Sequence, residues 1–199
     1  MSNMQIMNIY WTLTAIFFIG VISFFLRRIY LAKHSEKTKS NATKVFRRHG
    51  AIRNWKVLTD VTLGVGDQAV TADQLVIGPF GVIVACDLHQ KGNVYGDLTA
   101  PEWILATGED ANEKKTRIVS PYHTAEQGVE QLRSMFAKAK IYSVPVELMV
   151  PKTQKQGSYI TGSGQYLFSC KELKTQLEKS RFEKDNGVDI EAVAALFNS

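Results

Sequence analysis

Asp73, Cys86, Asp87 and His89 are the residues best suited by type and spacing to do chemistry, and they bracket two apolar runs. Leu75–Ile77 and Val82–Ala85 are short and rich in β-branched residues. With Gly78-Pro79-Phe80-Gly81 between them, they read as a hairpin feeding a buried strand. Asp73 would open the first strand and Asp87 close the second. Side chains two apart on a strand share a face. Cys86 and Leu88 would therefore look one way, and Asp87 and His89 the other. A free thiol in an apolar strand is more often a small buried hydrophobe than a nucleophile. A β-bulge after Ala85 would slip the parity by one and bring Asp87 and His89, a carboxylate and a base, to the side of Cys86 and Leu88. Without it, Asp87 is a solvated carboxylate at a strand end. Asp73 is then either a turn residue bonded to backbone or a metal ligand.

The run from Asp73 through Gly78-Pro79-Phe80-Gly81 to Lys91-Gly92-Asn93-Val94-Tyr95-Gly96 resembles the nuclease-related domain (NERD) family. That family places an Asp before an apolar strand, a Gly-led turn, a strand ending in Glu-x-Lys, then Lys-Gly-x-Ile-Tyr-Gly. Trp103 stands where the family often has Trp, and Ser120-Pro121-Tyr122-His123-Thr124 resembles its Asn-Pro-x-x-Gln, with Thr124 at the Gln position. The likeness spans roughly residues 38–150. It implies a restriction-endonuclease-like α/β fold, three layers with a mixed sheet and flanking helices, within the PD-(D/E)xK nuclease superfamily. It also implies nuclease chemistry, in which Asp and Glu hold Mg²⁺ and Lys orients the attacking water.

At the chemistry the chain departs from that pattern. The Glu-x-Lys positions fall on Cys86 and Leu88. A hard cation wants oxygen ligands, and a thiol is a poor substitute. The acid that the family carries on its first helix is also missing from Lys37–Ala42, and Glu36 sits about a turn too early. Two functions follow. One is a catalytically degenerate module that binds nucleic acid or a protein partner, with Lys91 and Thr124 as candidate binding residues. The other is a Mg²⁺-dependent nuclease using Asp73, Asp87 and His89, with Asp73 and Asp87 as metal ligands.

Ile9–Leu26 is uncharged and rich in aromatic and aliphatic residues, long enough to span a bilayer, and is closed by Arg27-Arg28. A cleaved signal peptide would need a basic stretch before it and a small-x-small site after it. Positive charge after the segment predicts a single-pass cell-membrane protein with its bulk in the cytoplasm. Arg27–Lys56 holds ten Lys or Arg and one acid, +9, so residues 57–199 sum to −4 of the chain's +5. A local basic arm beside a membrane suits anionic lipid headgroups near residues 27–56. Cys86 and Cys170, far apart and on the cytoplasmic side, are not expected to form a disulfide.

The expected organisation is an anchor over 1–28, a basic segment and first helix over 29–56, a NERD-like core over 38–150, and elements over 151–199 that complete the same domain. Ser40–Arg48 reads as a helix stopped by His49-Gly50, Trp55–Val61 as a strand, and Gly108–Lys115 as a polar hairpin tip after a strand at Trp103–Leu105. Pro121 opens an amphipathic helix to about Lys138. Val144–Val150 is a second uniformly apolar strand, Tyr166–Ser169 a short one, and Lys171–Lys179 and Ile190–Phe197 are terminal helices.

Overall fold

The computed structural model describes residues 21–23, 41–108, 113–152, 157–162 and 164–197. Two units are distinguished, Met1–Lys37 and Thr38–Ser199. Of the first, residues 21–23 are helical. The proposed span Ile9–Leu26 otherwise lies outside the described residues, and among those residues no helix is long and apolar enough to cross a membrane.

The second unit is mixed α/β with two sheets. Strands β1 (Lys56–Leu63), β2 (Val70–Gly78), β3 (Gly81–Ala85), β7 (Val146–Lys152) and β9 (Leu167–Ser169) form one, in the order β1-β2-β3-β7-β9. The first three pair antiparallel, whereas β3–β7 and β7–β9 are parallel. A single sheet had been expected. Strands β4 (Asn93–Asp97), β5 (Glu102–Thr107), β6 (Lys114–Val119) and β8 (Ser158–Thr161) instead make a second sheet, ordered β6-β5-β4-β8.

Helices cover both sides of the larger sheet. Helix α2 (Pro121–Lys138) packs Ala125, Val129, Leu132 and Phe136 onto Leu75, Ile77, Val82, Val84 and Cys86, and α4 (Ile190–Ala195) adds Val193 to that cluster. On the opposite side, α1 (residues 41–53) and α3 (Cys170–Leu177) lay Phe46, Leu173 and Leu177 on Val76, Ile83, Ala85 and Met149. Successive residues of β3 thus serve opposite clusters, as strand parity requires. A third cluster, with Leu88, Val94, Trp103, Leu105 and Val150, joins the small sheet to the ends of β3 and β7.

Helix α1 does not stop at His49-Gly50. It runs to residue 53, and Asn54, at φ 57°, takes the left-handed position that ends a helix. Gly50 has a different duty. The Trp55 N–H bonds its carbonyl at 3.0 Å, and a Cβ there would lie 3.2 Å from the Trp55 carbonyl oxygen.

Residues beyond the NERD-like stretch complete both large clusters, and α3 is held at its start by a capping box. The Ser169 hydroxyl accepts the Glu172 N–H at 3.3 Å, and the Glu172 carboxylate accepts the Ser169 N–H at 2.7 Å. Those backbone and side-chain bonds from Ser169 lower the Glu172 pKa. Its folded-state value is depressed, so the stability it lends is present above the ordinary Glu range and lost as pH falls through the folded value. Ser169→Ala should cost about 1 kcal/mol in urea unfolding at neutral pH. The deficit should shrink on acidification, as Glu172 is protonated in both proteins.

Candidate functional site

Asp73 sits within β2 rather than at its start. On the β1–β2 ladder Thr59 pairs with Gln74 and Val61 with Ala72, so Asp60 falls across from Asp73. Asp60 has φ 57°, a left-handed conformation that Asp adopts more readily than most residues. The alternation of β2 breaks there. Ala72 packs in the same cluster as Leu75 and Ile77, although regular parity would put it on the other face.

The β2–β3 ladder reaches Gln74↔Ala85 and goes no further. Beyond it the Asp73 carboxylate does a carbonyl's work: its Oδ2 accepts the Asp87 N–H at 2.7 Å. The same oxygen lies 3.4 Å from His89 Nε2, both side chains being about one-fifth exposed. Asp73 therefore ties the segment after β3 to β2 and meets the imidazole of His89.

The Asp87 side chain turns to the α1 side of the sheet. Asp87 is buried, and its Oδ2 accepts from Gln74 Nε2 at 3.0 Å. Gln74 Nε2 also donates to Thr43 Oγ1 of α1 at 3.2 Å. The Gln74 Oε1 atom has no hydrogen-bond partner among the described residues. Burial, and after it the Asp87 charge, push the Cys170 thiol up. Burial and the Asp87 charge thus disfavour the Cys170 thiolate. Thr43 and Gln74 escaped the sequence reading. A glutamine inside the apolar run Leu75–Ile77 and its approach was the signal available for Gln74.

No bulge follows Ala85. Val82↔Val146 through Ala85↔Met149 continue one-for-one to a bridge at Leu88↔Lys152. Cys86 N–H bonds the Met149 carbonyl at 3.2 Å, and Leu88 N–H the Pro151 carbonyl at 2.7 Å. Cys86 is buried among Val84, Ala125 and Val129, as an apolar thiol should be, and Leu88 is wholly buried between the two sheets. Lys152 stands in register with Leu88 on the neighbouring strand, and its Nζ donates to Ser158 Oγ at 2.8 Å.

Thr124 lies on the first turn of α2, where its hydroxyl donates to the Ser120 carbonyl at 3.1 Å. That hydroxyl serves the helix. Lys91 is exposed just before β4. The structure thus brings Asp73 together with His89 and with the backbone of Asp87.

These donors suit Mg²⁺ poorly. Near Asp73, Cys86 and Leu88 supply a buried thiol and a buried isobutyl group. The neighbouring carboxylate is engaged with Gln74 on the α1 side. Among the described residues no group of three or more His, Cys, Asp or Glu is placed to hold a metal ion.

The family model for the nuclease-related domain (NERD) matches residues 35–151, more than half of the chain. The chain belongs to this family. Searches of curated proteins and of solved structures found no match. The NERD match runs from before α1 to the penultimate residue of β7, so it takes in α1, β1–β6, α2 and nearly all of β7. It leaves β8, β9, α3 and α4 outside, although α3 and α4 close the clusters on either side of the NERD sheet.

Proposed function

We propose that this NERD protein is a single-pass, membrane-anchored module with a restriction-endonuclease-like core, held in the cytoplasm and used to bind rather than to cleave. The observation that carries this is the unbroken β3–β7 register. It supports reading Cys86 and Leu88, both buried, as the residues that stand for the family's carboxylate and lysine. Losing both removes metal affinity and the water-orienting group together. What remains is a folded frame whose ligand is a protein or a nucleic acid backbone, with Lys91 and Thr124 at its margin. Ile9–Leu26 would be the anchor, with the basic arm that follows it turned to the inner leaflet.

A second function has one observation in its favour. The approach of His89 to Asp73 pairs a carboxylate with an imidazole, the side-chain chemistry of a general base. In a Mg²⁺-dependent nuclease, Asp73 and Asp87 would have to share the metal, yet the Asp87 carboxylate is bonded to Gln74.

Titration of the full chain with Mn²⁺, followed by electron paramagnetic resonance, separates the two. A spectrum no different from Mn²⁺ in buffer is expected up to millimolar protein. Bound Mn²⁺ that disappears in Asp73→Ala would favour the nuclease. Carbonate extraction of membranes holding the full chain tests the anchor. The chain is expected in the pellet, and its release to the supernatant would refute a spanning segment.

A further inference from the structure

Helix α1 presents two faces of different chemistry. Ala42, Val45 and Phe46 are buried against the sheet. Lys44, Arg47 and Arg48 are exposed along the other side, followed by Ile52 at 75% exposure. No Asp or Glu occurs in residues 41–53. Lys171 and Lys174 of α3, on the same side of the sheet, are exposed as well. Acids do enter that layer: Glu183, just after Phe182, is ion-paired with Arg53 of α1 at 2.9 Å. Glu172 is bonded back into the capping box, and Glu178 is exposed at the end of α3.

A solvated salt-bridged helix would intersperse acids among these cations. A cationic face with a large aliphatic among its charges instead matches a surface that is anionic and has hydrocarbon just beneath it. We infer that the outward face of α1, extended by Lys171 and Lys174, rests on an anionic phospholipid bilayer, Ile52 entering the headgroup layer. This rests on the anchor proposed above. Arg27–Ser40 then joins the bilayer to α1 and can reach about 50 Å when extended, so the face is kept beside lipid at high effective concentration. A nucleic acid would meet the same cations but would have no use for Ile52.

The full chain carries the test. An environment-sensitive dye is placed on Ala51→Cys in a Cys170→Ala background, because Cys86 is buried. The labelled chain is reconstituted into nanodiscs of phosphatidylcholine with or without phosphatidylglycerol. A blue shift is expected only with phosphatidylglycerol, reversed by raising salt from about 0.1 to 1 M as the screening length falls from about 10 to 3 Å. Lys44→Glu/Arg47→Glu/Arg48→Glu should abolish it. Lys44→Arg/Arg47→Lys/Arg48→Lys, which keeps charge and fold, should retain it. At about fivefold per cation lost, and with three anions added, the triple reversal should weaken binding to phosphatidylglycerol vesicles by at least about 100-fold.

Equal emission in both discs overturns the inference, as does a shift that appears only when an oligonucleotide is added. Failure to enter discs overturns the anchor instead. The face is then read by adding phosphatidylglycerol vesicles to the free chain, where a shift upholds it and an unchanged spectrum overturns it.

Discussion

Cys86→Glu/Leu88→Lys, which rewrites the family's Glu-x-Lys, is expected to unfold the protein rather than to restore cleavage. Leu88 has no exposed surface and packs with Val94, Trp103, Leu105 and Val150, and Cys86 is 3% exposed beneath α2. Taking a carboxylate or an ammonium into such surroundings costs several kcal/mol per ion even after relaxation. Two such costs approach the whole stability of a typical domain, roughly 5–15 kcal/mol. The pair would gain from mutual attraction only if it shared a hydrated groove. Circular dichroism and urea unfolding read the outcome, with soluble yield as the first sign. A double variant that unfolds at the parent's midpoint and cuts DNA in Mg²⁺ would mean that these positions open to solvent and that only the ligands had been lost.

Gly81→Ala should be among the most damaging single methyls. Gly81 has φ 139°, in the region that L side chains rarely adopt, and a Cβ built on it falls on the carbonyl oxygen of Pro145. That oxygen accepts the Val82 N–H at 2.9 Å, the bond that starts the β3–β7 pairing. The methyl therefore strains the turn and pushes apart the two strands that position Cys86 and Leu88. A loss of about 3 kcal/mol or more is expected, from backbone strain of about 1–3 kcal/mol and a displaced hydrogen bond of about 1. Gly66→Ala is the comparison. Its φ is also positive, 69°, but nothing lies within 4 Å of a built Cβ, so its cost should be confined to backbone strain.

The buried centre of the fold was legible before the structure. β3, β7 and α2 carry uninterrupted apolar runs or a clear helical stripe, because each is covered on the faces that matter. The small sheet was legible only in part, at Trp103–Leu105 of β5 and not at its edges. β6 reads Lys-Lys-Thr-Arg-Ile-Val and is exposed along most of its length, and β8 is four residues long with half-buried alternation. An edge strand facing water has no hydrophobic period to betray it. In the sequence Gly50 reads as a helix stop because glycine commonly ends helices, whereas in the fold it clears space for the returning Trp55 backbone.

At the candidate site the sequence pointed to Asp73 and to the parity of Cys86, Asp87 and Leu88, and the register keeps that parity. Two features lay beyond it. The left-handed Asp60 across from Asp73 is a backbone event with no glycine to announce it. The Gln74 bridge between Asp87 and Thr43 joins three elements that only the packed sheet brings together. Asp73 accepts the backbone N–H of Asp87, a use for this acid that needs no metal.

A binding module of this kind leaves nucleic acid uncut, and cleavage is measured directly. The full chain in detergent is incubated with single- and double-stranded DNA and RNA in Mg²⁺ and in Mn²⁺, beside Asp73→Ala checked for native circular dichroism. The expected result is no product above buffer from any substrate, with the parent and the variant alike. Metal-dependent product from the parent that the folded Asp73→Ala variant fails to make would contradict the degenerate-module account.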